Sequence, residues 1–129
     1  MKFLLDSNAV IALVRGHPGF LEQLRRYQPQ DFELPAIVVH ELFYGAYKRL
    51  RIAQNAARVE ALQFQIVEFD REDAREAGGI RAKLAAAGTS IGPYDVLIAG
   101  QALARALIVI THNTSEFQLV PGLLMEDWE

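Results

Sequence analysis

The sequence predicts an α/β protein, a three-layer α/β/α sandwich around a mostly parallel sheet, in one domain spanning residues 1–129. Three observations predict it. Two short runs, Phe3-Leu4-Leu5 and Leu107-Ile108-Val109-Ile110, are apolar at every position, as strands buried on both faces in the middle of a parallel sheet are. Strand-like stretches alternate with stretches of helical spacing along the chain, which is the βαβ arrangement. Finally, 129 residues suffice for one core, and no repeat or low-complexity tract interrupts them.

Taken in order, Phe3–Leu5 is the first strand, and Asp6-Ser7-Asn8 ends it with residue types that cap helices. A short apolar helix from Ala9 to Arg15 follows, ended by Gly16 and Pro18. A second helix over 18–27 puts Phe20, Leu21 and Leu24 on one face and Glu22, Gln23, Arg25 and Arg26 on the other. After a loop at 28–31, Phe32-Glu33-Leu34 reads as a strand stopped by Pro35, which has no N–H to give a ladder. From Val38 a third helix carries Val38, Leu42 and Gly45 or Ala46 on one face and Glu41 in its first turn, the glycine suggesting a close helix approach or a slight kink. Ile52, Ala56, Val59 and Leu62 mark a fourth helix at i, i+4, i+7 and i+10, and Ile66–Phe69 is the next strand. Asp70 caps a helix with acids in its first turn that runs to about Ala87 before Gly88. Its Gly78-Gly79 pair has no phosphate-binding context and reads as a close-packing site. The turn-rich residues 89–93 lead into a small-residue helix from Tyr94 to Ala106, then the apolar strand to Ile110 and the polar cluster Thr111–Glu116. Leu123–Met125 is a last strand, and Trp128 is a terminal anchor.

Composition narrows the function. Charged residues make up 22% and apolar residues 51%, an ordinary globular balance. Without cysteine there is no disulfide framework and no thiolate nucleophile or ligand. Asp6 and Asn8 cut the N-terminal apolar run too short for a signal peptide, and no stretch approaches the length of a membrane helix, so a cytoplasmic protein is expected. The net charge of -3 argues mildly against a general nucleic-acid binder, unless several acids converge on a cation.

Four acids stand at comparable places: Asp6 after the first strand, Glu41 early in the third helix, Asp95 in the first turn of the late helix, and Glu116 after the second apolar strand. If the two apolar strands lie side by side, the segments after Leu5 and Ile110 open onto one sheet edge, where α/β proteins bind ligands. Carboxylates gathered there repel one another unless their pKa values shift or a cation binds. Oxygen ligands without cysteine or a histidine at ligand spacing select a hard ion, Mg²⁺ or Mn²⁺ over Zn²⁺. Such an ion leaves positions open for phosphate oxygens, and the chemistry it supports is phosphodiester hydrolysis by an oriented water.

Asp6-Ser7-Asn8, Glu41 within Val38–Gly45, Asp95 within Ile91–Ala99, and Thr111–Phe117 followed by Val120–Leu123 and Glu126–Trp128 occur in one order along the chain. Together they resemble a PIN-domain ribonuclease of the VapC toxin family. The resemblance implies a PIN-like fold and an Mg²⁺-dependent endoribonuclease. It also implies the toxin of a toxin-antitoxin pair, a homodimer inhibited by a VapB-type antitoxin, with structured RNA, first of all tRNA, as substrate. Residue by residue, it implies Asp6, Glu41 and Asp95 as metal ligands, direct or through water, and Ser7 as the small hydroxyl that bonds a ligand carboxylate or metal water. Many relatives carry a fourth Asp where this chain has Asn113, an amide without charge, and Glu116 three residues on is the expected replacement. That substitution leaves open whether one or two ions bind.

Other candidates compete with plainer uses. His17, His40 and His112 are possible general bases, His112 foremost because it adjoins the site, although lone histidines are mostly structural. Lys48-Arg49-Leu50-Arg51 could follow an RNA backbone or simply end a helix. Tyr44 and Tyr47 could stack bases or pack against a helix or a second copy. Among whole functions, the alternatives are a stand-alone PIN nuclease of RNA processing, a Mg²⁺-binding receiver module, and an inactive PIN-like domain kept for binding, against which the three intact carboxylates weigh. The receiver needs a lysine after a late strand, and none follows Lys83.

Overall fold

Phe3, Leu4 and Leu5 are at most 1% exposed, and the strand they form is the centre of the sheet. The structure is a computed structural model and describes residues 2–48, 57–58 and 60–129. In chain order it contains β1 (Phe3–Leu5), α1 (Ser7–Arg15), α2 (Pro18–Leu24), a 3₁₀ turn (Pro29–Asp31), β2 (Phe32–Pro35) and α3 (Ala36–Tyr47). There follow β3 (Gln65–Val67), α4 (Arg71–Ala86), α5 (Pro93–Arg105), β4 (Ile108–Ile110), α6 (Thr114–Phe117) and β5 (Met125–Glu126). The five strands run in the order β3-β2-β1-β4-β5. Every neighbouring pair is parallel, so the sheet expected to be mostly parallel is wholly so, within a three-layer α/β/α sandwich.

The two apolar strands pair as expected, Phe3 with Ile108, Leu4 with Val109 and Leu5 with Ile110. From β1 the chain builds outward through β2 to β3, then returns to the other side of β1 for β4 and β5. Strand order therefore reverses between β1 and β4, and the crevice at their carboxyl ends is the binding position of an open α/β sheet.

Alternation along β2 divides its side chains between two environments. Phe32 joins an aromatic cluster with Phe3, Tyr27 and Trp128, whereas buried Glu33 lies 3.9 Å from the Arg105 guanidinium of α5. Arg105 Nη2 also donates to Asp73 Oδ2 at 3.2 Å and to the Glu68 carbonyl at 3.0 Å. Gln101 Nε2 donates to the same carbonyl at 2.9 Å and to Asp73 at 3.1 Å. This network ties α5, whose first turn carries Asp95, to the end of β3 and the start of α4.

Several boundaries differ from expectation for identifiable reasons. Helix α3 begins at Ala36, directly after Pro35, which is still extended and paired with Val67. Glu41 therefore lies in the second turn and not the first. Strand β3 is Gln65–Val67, because the Glu68 carbonyl is taken by Gln101 and Arg105. Helix α2 stops at Leu24, where Arg26 and Tyr27 turn off through bonds to Gln23 and Leu24 that bring the Tyr27 ring onto Phe3. The last strand is Met125–Glu126, since β4 reaches it through Val109 to the Leu124 carbonyl and Thr111 to the Glu126 carbonyl.

One expectation about glycine fails. A Cβ at Gly78 or Gly79 would meet nothing within 4 Å among the described residues, so that pair is not a close-packing site. The close approach is at Gly100 of α5, where a Cβ would fall 2.6 Å from Ala77 of α4. Ile52, Ala56 and Val59 of the expected fourth helix, and Arg49 to Arg51, lie outside the described residues. Trp128 is 5% exposed and packs on Phe3, Phe20, Tyr27 and Phe32, as a terminal anchor should.

Candidate active site

Asp6 follows β1 by one residue, and its backbone continues the sheet through a 3.3 Å bond to the Ile110 carbonyl. Its side chain is the N-cap of α1, accepting from the Ala9 N–H at 2.8 Å, so one carboxylate both starts the helix and faces the crevice. It is 3% exposed. Burial is the main cause that lifts its pKa to about 6, opposed by hydrogen bonds from Thr111 and Ala9 and helped by the charges of Glu129 and Glu41.

Ser7 opens α1 and donates through Oγ to Glu41 Oε1 at 2.9 Å. The bond joins two distant segments and holds the α3 acid at the end of β1.

The α5 side of the crevice is built around Asn113. Its Nδ2 donates to Asp95 Oδ2 at 3.0 Å and also to Glu116 Oε2. Glu116 is further held by the Gly92 N–H, which donates to Oε1 at 2.8 Å. The two acids share a strongly interacting environment. Asp95 is raised to about 7, first by burial, then by its hydrogen bond with Glu116 and by the charges of Glu116 and Asp6, with Asn113 acting in the opposite sense. Glu116 is lowered, above all by the hydrogen bond from Asp95, then by Asn113 and Gly92. Burial and the charge of Glu116 thus push Asp95 toward its neutral form, while its neighbours favour the charged form of Glu116.

All four acids named from the sequence therefore meet at the β1/β4 switch point, with Ser7 bonded to one and Asn113 to two. The three histidines do not join them. His17 Nδ1 accepts from the Phe20 N–H at 3.2 Å and caps α2. The His40 ring bonds the Ile37 carbonyl and lies edge-on to Tyr94, and His112 Nδ1 lies 3.0 Å from Asp127 Oδ2.

Sequence reasoning missed Thr111, Gly92 and Glu129. Thr111 could have been found by register: with Leu5 opposite Ile110, the next residues on the two strands are Asp6 and Thr111. Its hydroxyl lowers Asp6 and accepts from the Asn113 N–H at 2.9 Å. Gly92 acts through its backbone, which leaves no mark in a sequence.

The donor set fits a hard divalent cation. It offers carboxylate oxygens supported by hydroxyl and amide donors, with Asp6 and Asp95 both raised partly by like charges that a cation would offset. Asp6, Glu41 and Asp95 would hold it. They do not gather three ligand atoms within 4.8 Å of one another, which suits a hydrated ion reached partly through water.

A small wholly parallel sheet with carboxylates collected at its switch point defines an acidic-site α/β protein of the metal-nuclease class. The comparisons are specific. Residues 3–123 match the PIN domain family. The chain is similar to the tRNA(fMet)-specific endonuclease VapC of Salmonella typhimurium, 38% identical over 130 residues that cover 99% of this chain and 98% of that protein. It is 35% identical to the protein of the same name from Shigella flexneri, with the same coverage. The crystal structure of DNA-bound VapBC from Salmonella typhimurium superposes with a TM-score of 0.94 at 38% identity, over 100% of this chain and 99% of that one. The chain belongs to the PIN-domain family, in its VapC branch.

Proposed function

We propose that the protein is an Mg²⁺-dependent endoribonuclease, the toxin of a VapBC-type pair, acting on structured RNA with tRNA as the first substrate to test. The observation that carries this reading is the convergence of Asp6, Glu41 and Asp95, from three separate segments, on the β1/β4 crevice. The similar proteins from Salmonella typhimurium and Shigella flexneri, named as tRNA(fMet)-specific, support the substrate class.

Asp6, Glu41 and Asp95 would hold the ion, and Mn²⁺ can replace Mg²⁺ at oxygen ligands of this kind. When bound, the ion supplies a polarised water and charge stabilisation on the phosphate. The chain's own residues prepare the site for it. Ser7 fixes Glu41, the α1 cap and Thr111 fix Asp6, and Asn113 donates to both Asp95 and Glu116. Glu116, held by the Gly92 N–H, is favoured in its charged form and supports Asp95 from the far side of Asn113. The stand-alone nuclease reading has no observation in its favour.

The partner reading follows from the relatives solved as VapBC complexes. A groove of about 240 Å³ between α1 and α3 is lined by Val10, Ile11, Val14, Leu42 and Leu62, with Arg15, Arg58 and Glu41 at its polar edge. Ile11 and Val14 are exposed there. An antitoxin segment with apolar side chains would cover it and end at a catalytic carboxylate. A homodimer in the cytoplasm completes the proposal, and among the described residues no helix is long and apolar enough to cross a membrane.

The direct test is cleavage of purified tRNA. Mg²⁺ or Mn²⁺ should support it and chelation abolish it. Asp6→Asn, Glu41→Gln and Asp95→Asn should each lower the rate about a hundredfold or more with the fold intact. Glu116→Gln should fall less far, since Asn113 still holds Asp95. Full cleavage by the Asp95→Asn protein would overturn the assignment.

A further inference from the structure

We propose that His112 is a substrate-contacting residue of this site, its Nε2–H holding a phosphate of the RNA strand beside the acid crevice while its Nδ1–H is tied to Asp127. This inference rests on the ribonuclease reading above, which supplies a polyanionic substrate.

His112 stands between Thr111, which bonds Asp6, and Asn113, which bonds Asp95 and Glu116. Its ring takes no part in those bonds. It is exposed, with Nδ1 3.0 Å from Asp127 Oδ2 and 4.0 Å from Glu129 Oε2. The tail bearing these two acids is secured without the imidazole. Trp128, between them, is buried against four aromatic rings, and its Nε1 donates to Glu126 Oε1 at 3.0 Å. A fixed tail thus orients the imidazole, and among the described residues Nε2 has no partner.

Charge gives this orientation a use. A phosphate entering the crevice meets Asp6, Glu41, Asp95 and Glu116, more negative charge than one divalent ion offsets. An oriented cation at the rim supplies attraction and sets the position of the strand. The charged groups facing His112 are Asp127 and Glu129 from the tail and Asp6 from the end of β1, and all are acids. Its pKa is raised, first by the hydrogen bond with Asp127 and then by the charges of Asp127, Glu129 and Asp6, all of which favour the charged ring. The carboxylates occupy the Nδ1 side, leaving Nε2–H as a charged donor toward solvent, suited to a phosphate oxygen.

The experiment measures binding of labelled tRNA to the full chain in excess chelator, where no cleavage occurs, at pH 6 and pH 8.5 and across a salt series. His112→Ala should weaken binding about tenfold at pH 6, as loss of one hydrogen bond to a charged group does, and much less at pH 8.5. The slope of log affinity against log salt should shrink by about 0.7, one phosphate contact on a single strand. His112→Arg should bind well at both pH values. Asp127→Asn should lose affinity at lower pH than the parent protein, because removing that charge lowers the imidazole pKa. Trp128 emission reports whether the tail stays in place. Two results would overturn the inference: unchanged affinity and salt slope in His112→Ala, or an equal loss at both pH values with a shifted Trp128 emission, which is the behaviour of a tail clasp. If the parent protein in Mg²⁺ cleaves no RNA, the ribonuclease reading fails instead. If it cleaves and His112→Ala binds like the parent, only the His112 contact is lost.

Discussion

Asp95 is pressed toward neutrality by its surroundings and toward ionisation by its proposed task. Burial, Glu116 and Asp6 raise it to about 7, and burial raises Asp6 to about 6. In the metal-free protein both therefore keep protons that the unfolded chain has already released above the ordinary carboxylate range. Folding then loses stability as pH rises from about 4 to 7, because the native state binds more protons than the unfolded one. Asp95→Asn removes part of this penalty. In chelator at pH 8 that variant should be more stable than the parent by about 1–2 kcal/mol, after allowing for solvent screening of a half-buried group. Urea unfolding at pH 5 and pH 8 measures it, and Mg²⁺ should restore the parent at pH 8 while doing little for the variant. A parent protein equally stable at both pH values in chelator would refute the account. At this scale Asp6 was legible because an acid closing an apolar run is visible in one dimension, and Glu41 and Asp95 because each stands early in a helix that follows a strand or turn. Asn113 was legible only as a missing charge. Its work as the donor between Asp95 and Glu116 depends on α5 and the segment after β4 meeting in space.

Elements were legible to within a few residues wherever apolar spacing was regular, and least where packing decides. The glycines show why. Gly78-Gly79 drew attention as a pair, yet a Cβ on either meets open space, whereas unremarked Gly100 lets α5 approach the backbone of Ala77. A sequence records which residue lacks a side chain and not which neighbour needs the room. Gly100→Ala should therefore cost about 1–3 kcal/mol by overpacking against a backbone that cannot yield. Gly78→Ala and Gly79→Ala should each gain about 0.5–1 kcal/mol, the ordinary benefit of alanine in a helix interior. Denaturant midpoints of the three variants separate the cases, and a stable Gly100→Ala protein would mean that α4 and α5 can move apart. The same contact bears on the site, since α5 is the element that presents Asp95.

Across the whole molecule, the two ends of the chain close the fold on each other. Phe3 of the central strand and Trp128 of the tail belong to one aromatic cluster with Phe20, Tyr27 and Phe32, so the first strand, α2, β2 and the C-terminus share one packed unit. The strand that begins in this cluster ends at Asp6, and the tail that fills it carries Asp127 and Glu129 to the rim of the crevice. Loosening the cluster should therefore disturb the distant site. Trp128→Ala should cost about 3–5 kcal/mol, the range for emptying a large buried ring. Trp128→Phe should cost much less, losing mainly the bond to Glu126. Trp128 is the single tryptophan, so its emission reports the tail while far-ultraviolet circular dichroism reports the helices. In urea the two signals should change together in one transition, as expected if the tail is part of the cooperative core. An emission change complete well before the helices melt would show a tail that frays independently, and the link from Trp128 through Phe3 to Asp6 would then carry no energy.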